Sequence, residues 1–275
     1  MSLIPRNGTL IVGGIDWSTN PKKRAAVKLY IDLPSGKLLK VESFDKNALD
    51  LITDDTIHAV GIDVPFGWPE HFSELVRDWN PSLPSETCPI LPAEKRGLYR
   101  YRMTEMCVKK HLAISPLSVS SDLIASSMRA WLIESHEYIE QFDLVGDGNI
   151  KNLPILIEVY PLASIISFSA GKTEKLWQEH KDYKKDKERR EDLCRKLVHL
   201  LFDSKPTRPY LNMLSKSADH TDAFVAALTT AVYALALAAV TVDAPIGKWE
   251  IMKPKNEIQI DLAKKEGWIF FPVEI

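Results

Sequence analysis

The strongest constraint on the fold is a phrase that occurs twice. Residues 10–16 read LIVGGID and residues 58–64 read HAVGIDV, each a short apolar run with Gly-Ile-Asp at its end. Runs of this kind suit strands buried on both faces, as in the parallel sheets of α/β proteins. The acid that closes each run then stands at the carboxyl edge of the sheet, where open α/β sheets place their ligands. A third run, residues 154–160 (PILIEVY), carries Glu158 in a comparable place, and Asp219 and Asp222 open a long apolar helical stretch much later. The expectation is that these acids, remote in sequence, meet at one sheet edge and hold divalent metal.

The connections give the order of the sheet. Residues 9–16, 24–32 and 38–44 read as three strands, separated by the turn segments at 18–23 and 33–37. Two short connections in a row require an antiparallel meander, because parallel neighbours need a longer crossover. A short amphipathic helix over 46–53 then brings a fourth strand, 58–64, back parallel to the first. Residues 65–153 read as a helical insert and cap, with helices over 69–79, 93–111 and 120–141, an irregular loop over 80–92 and a tight turn at Gly146-Asp147-Gly148-Asn149. The fifth strand follows at 154–160, a charged helical region at 171–201, a core helix at 219–240, and a closing helix and short strand at 255–265 and 268–273. The whole, residues 1–275, reads as one domain.

Composition removes several classes of function. A net charge of −2 does not advertise a whole-surface grip on nucleic acid, so any such contact needs a local patch. Cys88, Cys107 and Cys194 form no C-x-x-C pair, which argues against a zinc ribbon or disulfide scaffold and suits a reducing cytoplasm. Residues 1–6 contain no apolar stretch of secretory length. Residues 223–242 lack charge throughout, but they are Ala-rich, begin in acids and are followed by Asp243, so a buried core helix is expected and no membrane contact. The charges of 171–201 alternate in sign, the pattern of a solvated helix face, with a nucleic-acid contact as the alternative.

The acids can be weighed one by one. On adjacent parallel strands, about 4.8 Å apart, Asp16 and Asp63 can share one cation. Three gathered carboxylates repel unless a proton or a metal intervenes. An oxygen-only donor set fits Mg²⁺ or Mn²⁺ better than zinc. The alternative is that both aspartates merely cap turns after their strands. Gly14 and Gly61 fit places where backbone or ligand approaches closely, or else simple bends in their strands. Glu158 is costly if buried without a partner, although alternation can instead expose it. Asp219 and Asp222, spaced i, i+3, share a helix face; Asp219 is a natural N-cap, and both acids complement the helix dipole. His220 reads as a hydrogen-bonded neighbour, with a proton carrier as the alternative. Arg102 and Glu105 also share a helix face, either as an ordinary ion pair or as a contact to phosphate. Trp17, Trp68 and Trp131 read as packing. Ala170-Gly171-Lys172-Thr173 looks like the end of a phosphate-binding loop, but Ile166 stands where the leading glycine belongs.

Taken together, these motifs resemble a known family. Gly14-Ile15-Asp16, Gly61-Ile62-Asp63-Val64-Pro65 with Gly67, Arg102-x-Thr104-Glu105, Glu158-Val159-Tyr160-Pro161, Asp219-x-x-Asp222-Ala223 and Glu266-Gly267-Trp268-Ile269 occur in that order. The set is similar to the predicted RNase H-like nucleases of domain of unknown function 429. The resemblance implies an α/β, RNase H-like fold, a five-stranded mixed sheet of order 3-2-1-4-5 flanked by helices. In the related Holliday junction resolvases, acids on strands one and four and on the last helix bind two metals. Carried over, these are Asp16, Asp63, Asp219 and Asp222, while Glu158 matches only the family's own pattern. The implied activity is hydrolysis of nucleic acid with two Mg²⁺ or Mn²⁺ ions, with Asp16 bridging them and Arg102, Glu105, Ser18 and Thr19 toward the substrate. Two rivals stand beside it. One is an ATP-dependent phosphotransferase of the actin-like and sugar-kinase superfamily, in which Ser18-Thr19 would meet phosphate. The other is a non-catalytic binding protein that keeps the fold.

Overall fold

The computed structural model describes residues 5, 8–44, 47–80, 82, 91–122, 124–170, 176–240 and 242–275, and it builds outward from β1 (Thr9–Asp16). Leu10, Val12 and Ile15 of this strand are fully buried, because other elements cover it on both faces. A 3-10 turn at Pro21–Lys23, capped by the Asn20 side chain, leads into β2 (Ala25–Asp32), and a tight turn leads on to β3 (Lys37–Ser43). All three strands are antiparallel neighbours, as their short connections require. The single-turn helix α1 (Leu49–Ile52) buries Leu51 and Ile52 and returns the chain into β4 (Ala59–Asp63). β4 runs parallel to β1, with Gly14 opposite Gly61 and Asp16 opposite Asp63.

The chain between β4 and the next strand is helical: α2 (Glu70–Asp78), α3 (Gly97–Arg100), α4 (Met103–Leu112) and α5 (Ile124–Glu134), with 3-10 turns at Ala93–Lys95 and His136–Gln141. The continuous helix expected over 93–111 is broken. Arg102 is extended (φ −71°, ψ 161°) and starts a new helix, its N–H donating to Glu105 Oε2 at 2.9 Å. The helix expected over 120–141 divides at Ser135. Most of the loop expected over 80–92 lies outside the described residues, as do Cys88 and Lys46.

Next come β5 (Ile155–Val159), parallel to β4, and α6 (Pro161–Ala170), begun by the proline that ends the strand. The charged region then forms α7 (Leu176–His180) and α8 (Lys187–Phe202), joined by a turn. Its first five residues, with Gly171, Lys172 and Thr173, lie outside the described residues. α8 turns Lys187, Glu188, Arg195 and His199 to the surface, and Leu193, Cys194, Leu197, Val198 and Leu201 form a buried stripe on its other side. α9 (Arg208–Leu214) and α10 (Ala218–Ala238) follow, then β6 (Trp249–Ile251), α11 (Glu257–Glu266), β7 (Ile269–Phe270) and β8 (Pro272–Glu274). The expected terminal strand is therefore two. β7 joins β5 and extends the main sheet to β3-β2-β1-β4-β5-β7, whereas β8 pairs with β6. The result is an α/β fold with a mixed sheet flanked by helices.

α10 fixes where the sheet and its edge acids meet. A Cβ on Gly14 would stand 2.1 Å from the Ala223 carbonyl oxygen and 2.3 Å from Ala227 N, and one on Gly61 would stand 2.2 Å from Thr230 Oγ1. The helix thus lies on bare backbone of β1 and β4, closer than any side chain would permit. Phe224, Leu228 and Val232 are fully buried, each contributing about 1.5–3 kcal/mol relative to exposure. By length and composition α10 could cross a membrane; here it packs at the centre of the fold. The opposite face of the sheet carries a second core, where Trp131 stacks with Phe66 and Phe142 at ring distances of 5.5 and 5.7 Å.

Candidate metal centre

Three elements bring three carboxylates to one point. Asp16 ends β1, Asp63 ends β4 directly across the parallel ladder, and Asp222 lies in the second turn of α10. One carboxylate oxygen from each lies within 4.8 Å of the other two. Gly14 and Gly61 face α10, so the strand period of two turns Asp16 and Asp63 toward the same helix. Asp222 is buried, and Asp16 and Asp63 are half-buried.

Such crowding disfavours the ionised forms. Burial, followed by repulsion from Asp222, pushes Asp63 up to about 8. Burial also raises Asp16 well above the ordinary carboxylate range, with Asp63, Asp222 and Asp219 adding to the effect. Asp222 is raised by burial too, although Lys184 and Tyr183 pull it back. The Tyr183 hydroxyl donates a short hydrogen bond to Asp222 Oδ1, and Lys184 Nζ lies 2.9 Å from Oδ2. Burial and the neighbouring Asp222 keep the Tyr183 phenol protonated. At the rim, burial and then Asp63 push Tyr160 up to about 12.

The other expected residues take different places. Asp219, half-exposed, stands outside the tight group and reaches it only through its charge. It is not the helix cap: Ser217 fills that role, its Oγ accepting from His220 N at 3.2 Å. Ser217 Oγ also lies 2.9 Å from His220 Nδ1. Ser18 and Thr19 follow Asp16 at the surface, where the Ser18 carbonyl accepts from Arg24 Nε at 2.7 Å.

Glu158 lies opposite Ile62 in the ladder, one position out of phase with Asp63, so it leaves the sheet on the other face. There it meets Arg102, which is 1% exposed. The guanidinium donates to Glu158 Oε1 and Oε2 at 2.6 and 2.8 Å, to Glu105 Oε1 at 3.0 Å and to the Glu266 carbonyl at 2.9 Å. Four of its five N–H donors are committed. The expected contacts of Arg102 and Glu105 to a substrate phosphate are therefore replaced by an internal network, and Glu158 is its second acid rather than a member of the carboxylate group. Glu158 Oε2 also accepts from Phe66 N at 2.9 Å, three residues beyond Asp63. The Glu266 carboxylate accepts from Glu70 N and Met103 N, both at 2.7 Å, closing the starts of α2 and α4 together. A cleft of about 40 Å³ separates this network from Asp63, walled by Pro116, Leu117 and Ile124.

Sequence reasoning missed Tyr183 and Lys184, which sit in the run HKDYKKDKE. The available signal was the lone aromatic in that run: Tyr183 is 1% exposed.

The family model described as Protein of unknown function (DUF429) matches residues 14–245. No curated protein and no solved structure matches the chain.

Proposed function

The chain belongs to the family described as Protein of unknown function (DUF429), and for it we propose metal-dependent hydrolysis of phosphodiester bonds in nucleic acid. The observation that carries this reading is the meeting of Asp16, Asp63 and Asp222, with an oxygen of each within 4.8 Å of the others. The donor set suits the ion. Three carboxylates without His or Cys fit a hard, oxygen-preferring cation, Mg²⁺ or Mn²⁺. The order β3-β2-β1-β4-β5, with its first three strands antiparallel, supports an RNase H-like assignment, with β7 as an addition and the helices between β4 and β5 as a cap.

When bound, such an ion activates water and stabilises the leaving oxygen of a phosphodiester. The chain's part is to fix the ligands and the protons around them. Asp16, Asp63 and Asp222 would hold the ion, and Asp219 would add negative charge from outside the group. Tyr183 fixes Asp222 by its Oδ1. Tyr160 remains protonated at neutral pH beside Asp63, a hydrogen-bond donor at the rim.

The test is the double variant Asp16→Asn, Asp63→Asn. Calorimetry with MnCl₂ should register no binding, and cleavage of DNA and RNA substrates should fall to background, while circular dichroism stays that of the parent. Cleavage at the parent rate by this variant would reject the assignment.

A further inference from the structure

Lys184 is a surface cation held against a buried acid of the carboxylate group. Its side chain is 61% exposed, yet its Nζ lies 2.9 Å from an oxygen of Asp222, whose side chain is only 4% exposed. It projects from the turn between α7 and α8, and its neighbour Tyr183 holds the other oxygen of the same carboxylate. Both oxygens of Asp222 thus already have donors from the chain. Tyr183 is 1% exposed and locked in place, whereas Lys184 is a compact charge on a flexible four-carbon stem. Its charge also draws down Asp16 and Asp63, so it serves the whole group.

The Lys184 ammonium stands against the same three carboxylates that would receive an ion: it contacts Asp222 and acts on Asp16 and Asp63 through its charge. A cation entering the group therefore finds Asp222 Oδ2 taken and a like charge beside it.

We propose that Lys184 is a tethered cation that competes with a divalent metal ion for Asp222, so that metal binding and release of the lysine are one coupled event. The inference rests on the metal-centre reading above but not on the reaction assigned to it. Coupling between two ligands is reciprocal, so removing the ammonium must strengthen metal binding by the amount that the metal loosens the ammonium.

The experiment is calorimetric titration of the full chain with MnCl₂. Lys184→Met should bind Mn²⁺ on the order of tenfold tighter than the parent, within the usual range of such couplings. Lys184→Arg keeps the charge and should stay near the parent. Lys185→Met makes the same change in net charge at the adjacent exposed residue and should also stay near the parent. Because Lys184 is exposed, the variant is expected to fold, and its thermal transition in metal-free buffer checks this. Equal affinity in the parent and Lys184→Met would overturn the inference while leaving the metal centre standing, and so would an equal gain in Lys185→Met. A tenfold gain without any cleavage would retain the inference and remove the nuclease reading. No Mn²⁺ binding by either chain would remove both.

Discussion

Two groups of buried charge sit at the same edge of the sheet, on opposite faces, and they are neutralised differently. On one face Arg102 stands between Glu105 and Glu158, and the acids receive N–H donors from the guanidinium and from the backbone of Phe66 and Arg102. On the other face Asp16, Asp63 and Asp222 share one lysine and one tyrosine, and two of the three acids sit far above the ordinary carboxylate range. The first group is complete within the chain and ties α4, β5 and the β4–α2 connection together. Among the described residues the second has one exposed lysine for three acids, where the first has one buried arginine for two. A buried network whose members are all paired holds structure, whereas one left short of cations is suited to receive one.

The comparison can be broken most forcefully at Arg102. Arg102→Met leaves Glu158 and Glu105 buried without their cation and should cost about 3–5 kcal/mol, read as a fall in the denaturation midpoint. A loss below 1 kcal/mol would mean that the network is not internally closed. The second test uses pH. Asp63 is raised in the folded state, so its protonated form stabilises the metal-free protein below about pH 4, and that contribution is lost as pH rises from about 4 to about 8. Metal-free Asp63→Asn should therefore melt higher than the parent at pH 8 and no higher at pH 4. Mn²⁺ affinity should rise with pH over the same window, by about tenfold per pH unit for one displaced proton. A flat profile would mean that no proton is held at the group. The smallest effect sharpens the role of the helix start. Ser217→Ala should cost about 1 kcal/mol, and Asp219→Asn well under that, because only Ser217 caps α10.

Much of this was legible in the residues. The two Gly-Ile-Asp endings placed β1 and β4 side by side in register, and the short turns at 18–23 and 33–37 made the meander. The acid of PILIEVY misled, because the face a strand residue takes depends on register, and one step of register moves it to the other side. Nothing within residues 154–160 states that Glu158 pairs with Ile62 rather than with Asp63. The break at Arg102 was hidden for a related reason. No glycine or proline marks it, and the extended backbone there is held by Glu105, Glu158 and the distant Glu266, which tertiary contact alone supplies. Lys184 was lost among like residues of a charged run, and its distinction is its neighbour in space.

The bare backbone at positions 14 and 61 has a consequence for the metal-centre reading proposed above. The gap between Asp222 and its two strand partners is set by how near the helix stands to the sheet, and that standoff is fixed by two absent methyl groups, each two residues before the aspartate of its strand. Magnesium demands oxygens at about 2.0–2.1 Å and calcium at about 2.3–2.6 Å. Under the metal-centre reading proposed above, discrimination by ionic radius would reside beneath the helix, and a chain bearing alanine at either glycine would widen the jaw while leaving the three carboxylates in the sequence unchanged.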